Sequence, residues 1–378
     1  MIGPPIIIVP PVNPDKPGEP SPQEAPIIIP GPTRPNYRVE VPVYMAAPAL
    51  AHRMGLMMLG AYHERVGEDR PDDWDTDALR TVSNGTDATG EPRKMLGWGR
   101  AFGETGSVGR HNSGSNFGSN GPSYDFTMGA IQAGADLIRK QHDNGRRDIA
   151  GLYVGMMTAH ADVKQVYNGS RAGSADMTGY SLAAYWTHKG VNDWYLDAVL
   201  QGTRYANAQA WSNRGQKIHP DGWGIAASLE GGYPVALGKG WALEPQAQII
   251  YQWITLNNGS DSYGQVKFED SHAWQGRLGA RLTKDWTSEN GKKGQFFARA
   301  NIWHAFESTA KTTFNSFDGQ NPVGLKTKLG GTWGQAGLGI NGQLTPKLTA
   351  FANGDYNFNL GDGTGHSFGG RLGLRYEF

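Results

Sequence analysis

The sequence predicts an all-β transmembrane fold, a twelve-stranded antiparallel up-and-down β-barrel occupying residues 95–378. Three observations lead there. From Met95 to the C-terminus, apolar and polar residues alternate with period two, the mark of strands with two unlike faces. The alternating segments run about 10 to 15 residues, as tilted strands crossing a bilayer must, against about five or six in ordinary globular sheets. No run of ~20 apolar residues offers a spanning helix; the best stretch, Met45 to Tyr62, is interrupted by Pro48, His52 and Arg53.

Composition narrows the function. Among 378 residues there are 54 Gly, 12 Trp, 15 Tyr and 13 Phe, which suits many strands joined by tight turns. The 35 basic and 35 acidic residues cancel, so no basic field invites nucleic acid. The absence of Cys removes disulfides, thiolate metal sites and a Cys nucleophile, and it suits an oxidising periplasm. The ten His are scattered without H-x-E or HExxH spacing. No nucleophile–His–acid set can be assigned. The Gly-rich string GETGSVGRHNSGSNFGSNG contains no GxxxxGK[ST] and reads as a loop. The chain is therefore expected not to be an enzyme, with no catalytic, metal or cofactor residues. An outer-membrane enzyme using Asp261, Asp318 or His272 at the barrel rim is the weaker alternative.

Taken in order, residues 1–36 are Pro-rich, with the islands PPIIIVPP and APIIIPGP. Proline fixes φ and lacks an amide donor, so this segment reads as an extended linker, or else as the remnant of strands from something upstream. Its start has no basic n-region, so the export signal is expected upstream and the chain reads as a fragment. Within residues 37–94, the stretch from Tyr44 to Arg65 is rich in strong helix formers. Such a helix is about 33 Å long, comparable to the hydrocarbon core of a membrane. An acidic, turn-rich stretch from Glu68 to Asp77 follows.

Twelve alternating segments then fall at about 95–104, 124–139, 148–161, 177–188, 193–206, 222–235, 241–256, 273–285, 295–314, 324–344, 347–358 and 367–378. In the seventh, Trp241, Leu243, Pro245, Ala247, Ile249, Tyr251 and Trp253 share one face, with Glu244, Gln246, Gln248 and Gln252 on the other. Trp241 and Trp253 bracket the apolar face as interfacial girdles do. A packed sandwich core has no way to bury the polar face unpaired, whereas a wet lumen accepts it. Asp197, Glu230, Glu244, Arg277, Arg281, Arg299, Arg371 and Arg375 are accordingly assigned to the lumen. They either hold the helix and keep the pore hydrated, or pair with one another across the wall. Between the ninth and tenth segments TTFNSFDGQNPVG is ambiguous. An even count near twelve matches a closed, single-chain barrel, so a monomer is expected.

At this point residues 37–378 resemble the translocator domain of monomeric (type Va) autotransporters. YRVEVPVYMAAPALAHRMGLMMLGAYHERVGE is similar to that family's pre-barrel linker and helix. GWGRAF and GAIQAGAD resemble its first two strands. GYSLAAYW, DWYLDAVLQ, GIAASLEGGYPV, WALEPQAQIIY and GRLGARL follow in the family's order. The terminal LGLRYEF, with Leu372, Leu374, Tyr376 and Phe378 in step, resembles the signal read by the β-barrel assembly machinery.

The resemblance implies a helix threaded through the lumen, joining an N-terminal passenger to the first strand. Eight strands leave space only for side chains or a small ligand and sixteen leave an open channel, so about twelve suit one helix of about 10–12 Å diameter. It also implies an integral protein of the Gram-negative outer membrane that exports and anchors its passenger. Implied partners are outer-membrane lipid and lipopolysaccharide, the assembly machinery, periplasmic chaperones and the passenger itself. A diffusion porin plugged by its own helix is the alternative. His52 and Arg53 fall mid-helix and need buried partners; His63 to Arg65 fit either lumen contacts or a solvated cluster at the periplasmic mouth. Passenger self-cleavage near Asn36 finds no paired Asn or acidic constellation to support it.

Overall fold

The computed structural model describes residues 6–7, 28–29, 37–67, 96–109, 117–361 and 365–378. Twelve long antiparallel strands follow one another around the wall. They are β1 (Leu96–Val108), β2 (Tyr124–Gln141), β3 (Arg147–Lys164), β4 (Arg171–Lys189), β5 (Tyr195–Ser212) and β6 (Gly222–Gly232), then β7 (Trp241–Leu256), β8 (Ser271–Thr287), β9 (Lys293–Asn315), β10 (Thr332–Thr345), β11 (Leu348–Asn359) and β12 (Gly365–Glu377). Each pairs with its predecessor, and β12 closes on β1 from Gly365 opposite Val108 to Glu377 opposite Leu96. Closure leaves the wall no free edge, the condition for a sheet to cross lipid. Apart from it, Ile6–Ile7 pairs with Ile28–Ile29, so the two isoleucine islands meet as short antiparallel strands.

The alternation read from the sequence is the alternation of burial. On β7, Leu243 and Ile249 face outward while Glu244, Gln246, Gln248 and Gln252 are buried. Leu278, Ile302, Leu338 and Leu372 project likewise from β8, β9, β10 and β12. Pro245 is tolerated inside β7 because its neighbour β6 has just ended at Gly232, where the ladder asks for no further amide.

The ends of the barrel differ. Short connections, 142–146, 190–194, 233–240, 288–292 and 346–347, lie at the end where β1 begins and β12 finishes. Longer ones, including 213–221, 257–270 and 316–331, lie at the other. Short turns mark the periplasmic side of such barrels and long loops the extracellular side.

Two departures from the sequence reading have physical causes. Strands β1, β4 and β5 run further toward the extracellular end than expected, to Val108, back to Arg171 and to Ser212. There the outward residues include Asp162, Arg171 and Asp176 rather than apolar side chains, so the pattern lapses although the ladder continues. The expected tenth segment divides: Val323–Lys328 forms a hairpin with the end of β9, and β10 starts only at Thr332. The turn between them uses Gly319 at φ 78°.

Inside the wall stands α1 (Glu40–Leu59), followed after Gly60 by a single turn, α2 (Tyr62–Val66). The expected continuous helix is thus broken near its C-terminal end, where Gly60 takes φ 65°. The Glu64 side chain accepts the Ala61 amide at 3.1 Å and starts the second turn. The helix is buried on almost every side. It lies off-centre toward β3, β4 and β5, because Met54 and Met58 reach over Gly179 and Gly155, where a Cβ would come within 3.2 and 2.6 Å of their methyl groups. Opposite remains a cavity of about 900 Å³, bordered by Arg53, Glu104, Trp303, Gln335, Asp355 and Arg371.

Candidate functional site

The chemistry-bearing side chains gather where the helix meets the wall, in three tiers. At the extracellular mouth, Asp261 in the loop after β7 accepts from Tyr44 Oη and from Arg38, both at 3.2 Å. Glu40, in the first turn of α1, accepts from Ser212 at 3.2 Å. An acidic residue there also favours the helix dipole.

In the middle tier, His52 lies with Nδ1 3.1 Å from Gln252 Oε1 and Nε2 2.8 Å from Ser271 Oγ. Gln252 Nε2 donates back to the His52 carbonyl at 3.2 Å. Arg53 points to the opposite wall, pairing with Glu104 of β1, donating to Ser367 at 3.2 Å and covering the Phe126 ring. Tyr205 Oη donates to the Ala51 carbonyl at 2.9 Å.

The periplasmic tier is the densest. Glu64 Oε1 receives Arg299 at 2.6 Å and Arg371 at 3.0 Å, and both arginines also bond Asp355. Arg65 pairs with Asp197 at 2.5 Å and lies over the Tyr185 ring. His63 Nε2 is 2.9 Å from Glu244. Glu230 accepts the Tyr62 amide at 3.0 Å and the Tyr195 hydroxyl at 2.7 Å, and it forms an ion pair with Arg277 at 2.9 Å. The end of α1 leaves carbonyls without helical partners; Arg100 and Gln132 supply donors to Met58 O at 3.2 and 2.7 Å, and Arg100 reaches Glu64 O at 2.7 Å. Charges buried this deeply need partners of good geometry, and six wall strands, β1, β5, β6, β7, β9 and β12, bond or ion-pair with α2 directly.

Of the eight charges assigned to the lumen, Asp197, Glu230, Glu244, Arg299 and Arg371 bond α2 directly. Arg277 acts through Glu230, Arg281 donates to Gln295 at 2.6 Å, and Arg375 is buried on the same inward face of β12. Some of those charges therefore pair with the helix and others along the wall. The solvated version of His63 to Arg65 is overturned for Glu64 and Arg65, both buried. Arg100, Glu104 and Asp355 escaped the sequence reading, although Arg100 and Glu104 share the inward parity of Trp98 and Asp355 that of Phe351.

Leu372, Leu374, Tyr376 and Phe378 all project outward from β12, and the Phe378 ring covers Gly97 across the closing seam, 2.9 Å from where a Cβ would stand. Asp318 and His272 lie apart from Asp261: Asp318 bonds Ser316 at 2.7 Å within its turn, and His272 bonds Tyr251 at 2.7 Å on the outer wall. GHSFG at 365–369 has the GxSxG spacing, but Ser367 sits within regular β12 and accepts from Arg53 and Asn357. Among the described residues no three His, Asp or Glu side chains converge as a metal site.

With this geometry in hand, the comparisons agree on one family. The model of the autotransporter beta-domain matches residues 97–355. The chain is 27% identical over 269 residues to the Adhesin BmaC autotransporter of Brucella suis biovar 1 (strain 1330), covering 68% of this chain and 8% of that protein. It is 27% identical over 285 residues to the BrkA autotransporter of Bordetella pertussis, covering 74% and 26% respectively. The chain thus spans about a quarter or less of the length of these relatives. In fold it is similar to the transport unit of the autotransporter AIDA-I from Escherichia coli, with TM-score 0.64 and 18% identity over 91% of this chain and 100% of that one. The translocator domain of NalP from Neisseria meningitidis gives TM-score 0.61 and 14% identity over 88% and 98%. The chain belongs to the autotransporter beta-domain family, and it is an outer-membrane translocator barrel rather than a diffusion porin closed by a plug.

Proposed function

We propose that the periplasmic tier is the device that retains the helix after export, and that residues 37–94 with this helix tie an N-terminal passenger to the barrel of residues 95–378. The supporting observation is the ring of contacts that α2 makes with β1, β5, β6, β7, β9 and β12. In this reading Asp197, Glu230, Glu244, Arg277, Arg281, Arg299, Arg371 and Arg375 keep the lumen wet while a passenger passes. They then pair with the helix or with one another when it stops. His52 and Arg53 fix its rotation, and the Pro-rich residues 1–36 are the spacer that leads outward to the passenger.

The family is one of translocators, not of enzymes. We take this chain to perform no cleavage of its own, so the precursor keeps its full mass on a gel. Partners in this reading are the passenger, periplasmic chaperones, lipopolysaccharide and the assembly machinery, which reads Leu372, Leu374, Tyr376 and Phe378. A closed wall from a single chain supports a monomer.

Protease shaving of intact cells tests the reading. A signal peptide and epitope tag are fused ahead of Gly3, and insertion is checked by heat-dependent gel mobility. Loss of the tag with the barrel intact is expected. A tag that stays protected while the barrel inserts makes the helix a plug and ends the translocation reading for these residues.

A further inference from the structure

Beyond the lipid-facing wall, a four-stranded apron rises from β8 and β9 on the extracellular side. It consists of Gly259–Asp261, Gly264–Phe268, the end of β9 and Val323–Lys328. Its inner face is closed: Val266, Phe268, Ala310, Thr312, Leu325 and Thr327 are buried, and Thr327 donates to the Met45 carbonyl of α1 at 3.2 Å. Alternation therefore turns Lys267, Lys311, Lys326 and Lys328 to the outer face, and all four are exposed.

The register packs these charges together. Lys311 stands directly opposite Lys326, Lys328 opposite Thr309, and Lys267 opposite Thr313. Like charges opposed across a ladder are destabilising. Lys311 lies flat over the sheet, its Cε 2.7 Å from where a Cβ on Gly324 would stand. One carboxylate answers it, Glu269 at 2.6 Å, while Lys267, Lys326 and Lys328 have no ion-pair partner among the described residues. On β3 and β4, at the same end of the barrel, the outward cations are matched: Lys164 with Asp125 at 2.7 Å, and Arg171 with Asp162 at 2.6 Å. The outer face of the apron therefore keeps an excess of positive charge.

Height selects the ligand. Trp274 and Phe306 face each other on the lipid side just below the apron, where an interfacial aromatic belt belongs. Counted from Phe306 at ~3.3 Å per residue and ~45° tilt, Lys328 stands roughly 7 Å, and Lys311 with Lys326 roughly 12 Å, above that belt. A phospholipid head occupies only about 5–8 Å beyond the hydrocarbon. A head of phosphorylated sugars carries anionic groups at several heights. We propose that this lysine face binds the phosphorylated saccharide head of an outer-leaflet glycolipid. The proposal rests on the outer-membrane placement of the barrel and its extracellular long-loop end.

The test uses the full chain, folded in detergent, with purified lipopolysaccharide as the probe, and measures glycolipid retained through size-exclusion chromatography. The variant is Lys267→Gln with Lys326→Gln and Lys328→Gln, its folding checked by heat-dependent mobility. Retention is expected to fall at least about tenfold. Phosphatase-treated lipopolysaccharide should bind the unaltered chain equally poorly, and Lys→Arg at the same positions should restore binding. A folded variant that retains as much lipid, or equal binding of the phosphate-free form, overturns the proposal. If the variant does not fold, retention by the unaltered chain decides: a fall with rising salt supports the proposal, and indifference to salt defeats it. Shaving the tagged cells reads export separately. A protected tag sinks the translocation reading, whereas normal display with unchanged lipid retention sinks only this one.

Discussion

At Glu64 a single carboxylate faces Arg299 from β9 and Arg371 from β12, and it also caps the turn that carries it. Removing one member of such a buried set leaves the others uncompensated, a loss of about 3–5 kcal/mol. Glu64→Gln is therefore expected to lower the temperature of the heat-dependent gel transition and to raise pore conductance in planar bilayers. Unchanged conductance would mean that α2 is held by packing alone. Arg65 and Asp197 offer the cleaner pair: replacing both by apolar residues should cost far less than replacing either, and a double-mutant cycle measures their coupling. Gly60 is a second sensitive point, since φ 65° strains any side chain and a Cβ meets Glu64 and Arg100 at 3.1 and 3.2 Å. Gly60→Ala should destabilise the folded barrel by about 1–2 kcal/mol. Much of this tier was legible in part. Parity along the strands identifies which charges face inward, but not that Asp355 and Glu64 would share two arginines, because that pairing depends on how far the helix descends.

Elements were legible according to how much lipid they touch. β7 and β8 contact hydrocarbon over most of their length, and their expected limits, 241–256 and 273–285, differ from the observed Trp241–Leu256 and Ser271–Thr287 by a few residues at most. Where strands leave the bilayer the outer face turns polar, and the sequence no longer separates ladder from loop. The helix was recognisable from its unbranched residues, but its break at Gly60 was not, because glycine also serves as a close-approach residue in the same helix. Gly55 is such a case, with a Cβ there 2.8 Å from Gln252 Nε2 and 3.2 Å from Tyr205 Oη. Gly55→Leu is expected to unseat α1 while leaving the wall intact, seen as protease access to residues 40–59 in a barrel that still runs heat-dependently. For β12, deleting Phe378 removes the ring over Gly97 at the closing seam. The fraction inserted into outer membranes should drop; normal insertion would refute the assembly-signal role.

For the molecule as a whole, twelve strands were countable because each carries its own period, whereas the off-centre seat of the helix required Gly155 and Gly179 to meet Met58 and Met54, a match between distant parts of the chain. The wall opposite keeps its cavity of about 900 Å³. Arg277→Ala with Arg281→Ala, which strips Glu230 of one partner, should change pore conductance and slow passenger display. If both stay as in the unaltered chain, these arginines merely satisfy the wall. The way α2 is bonded has a mechanical consequence. Tension applied from outside the cell runs down α1 into contacts on six strands spread around the ring, so the load is shared like that of a hub on its spokes. Each contact is then pulled lengthwise along the barrel axis, in shear, and no strand is peeled from its neighbour. Under force the thread should slip from the ring before the ring opens.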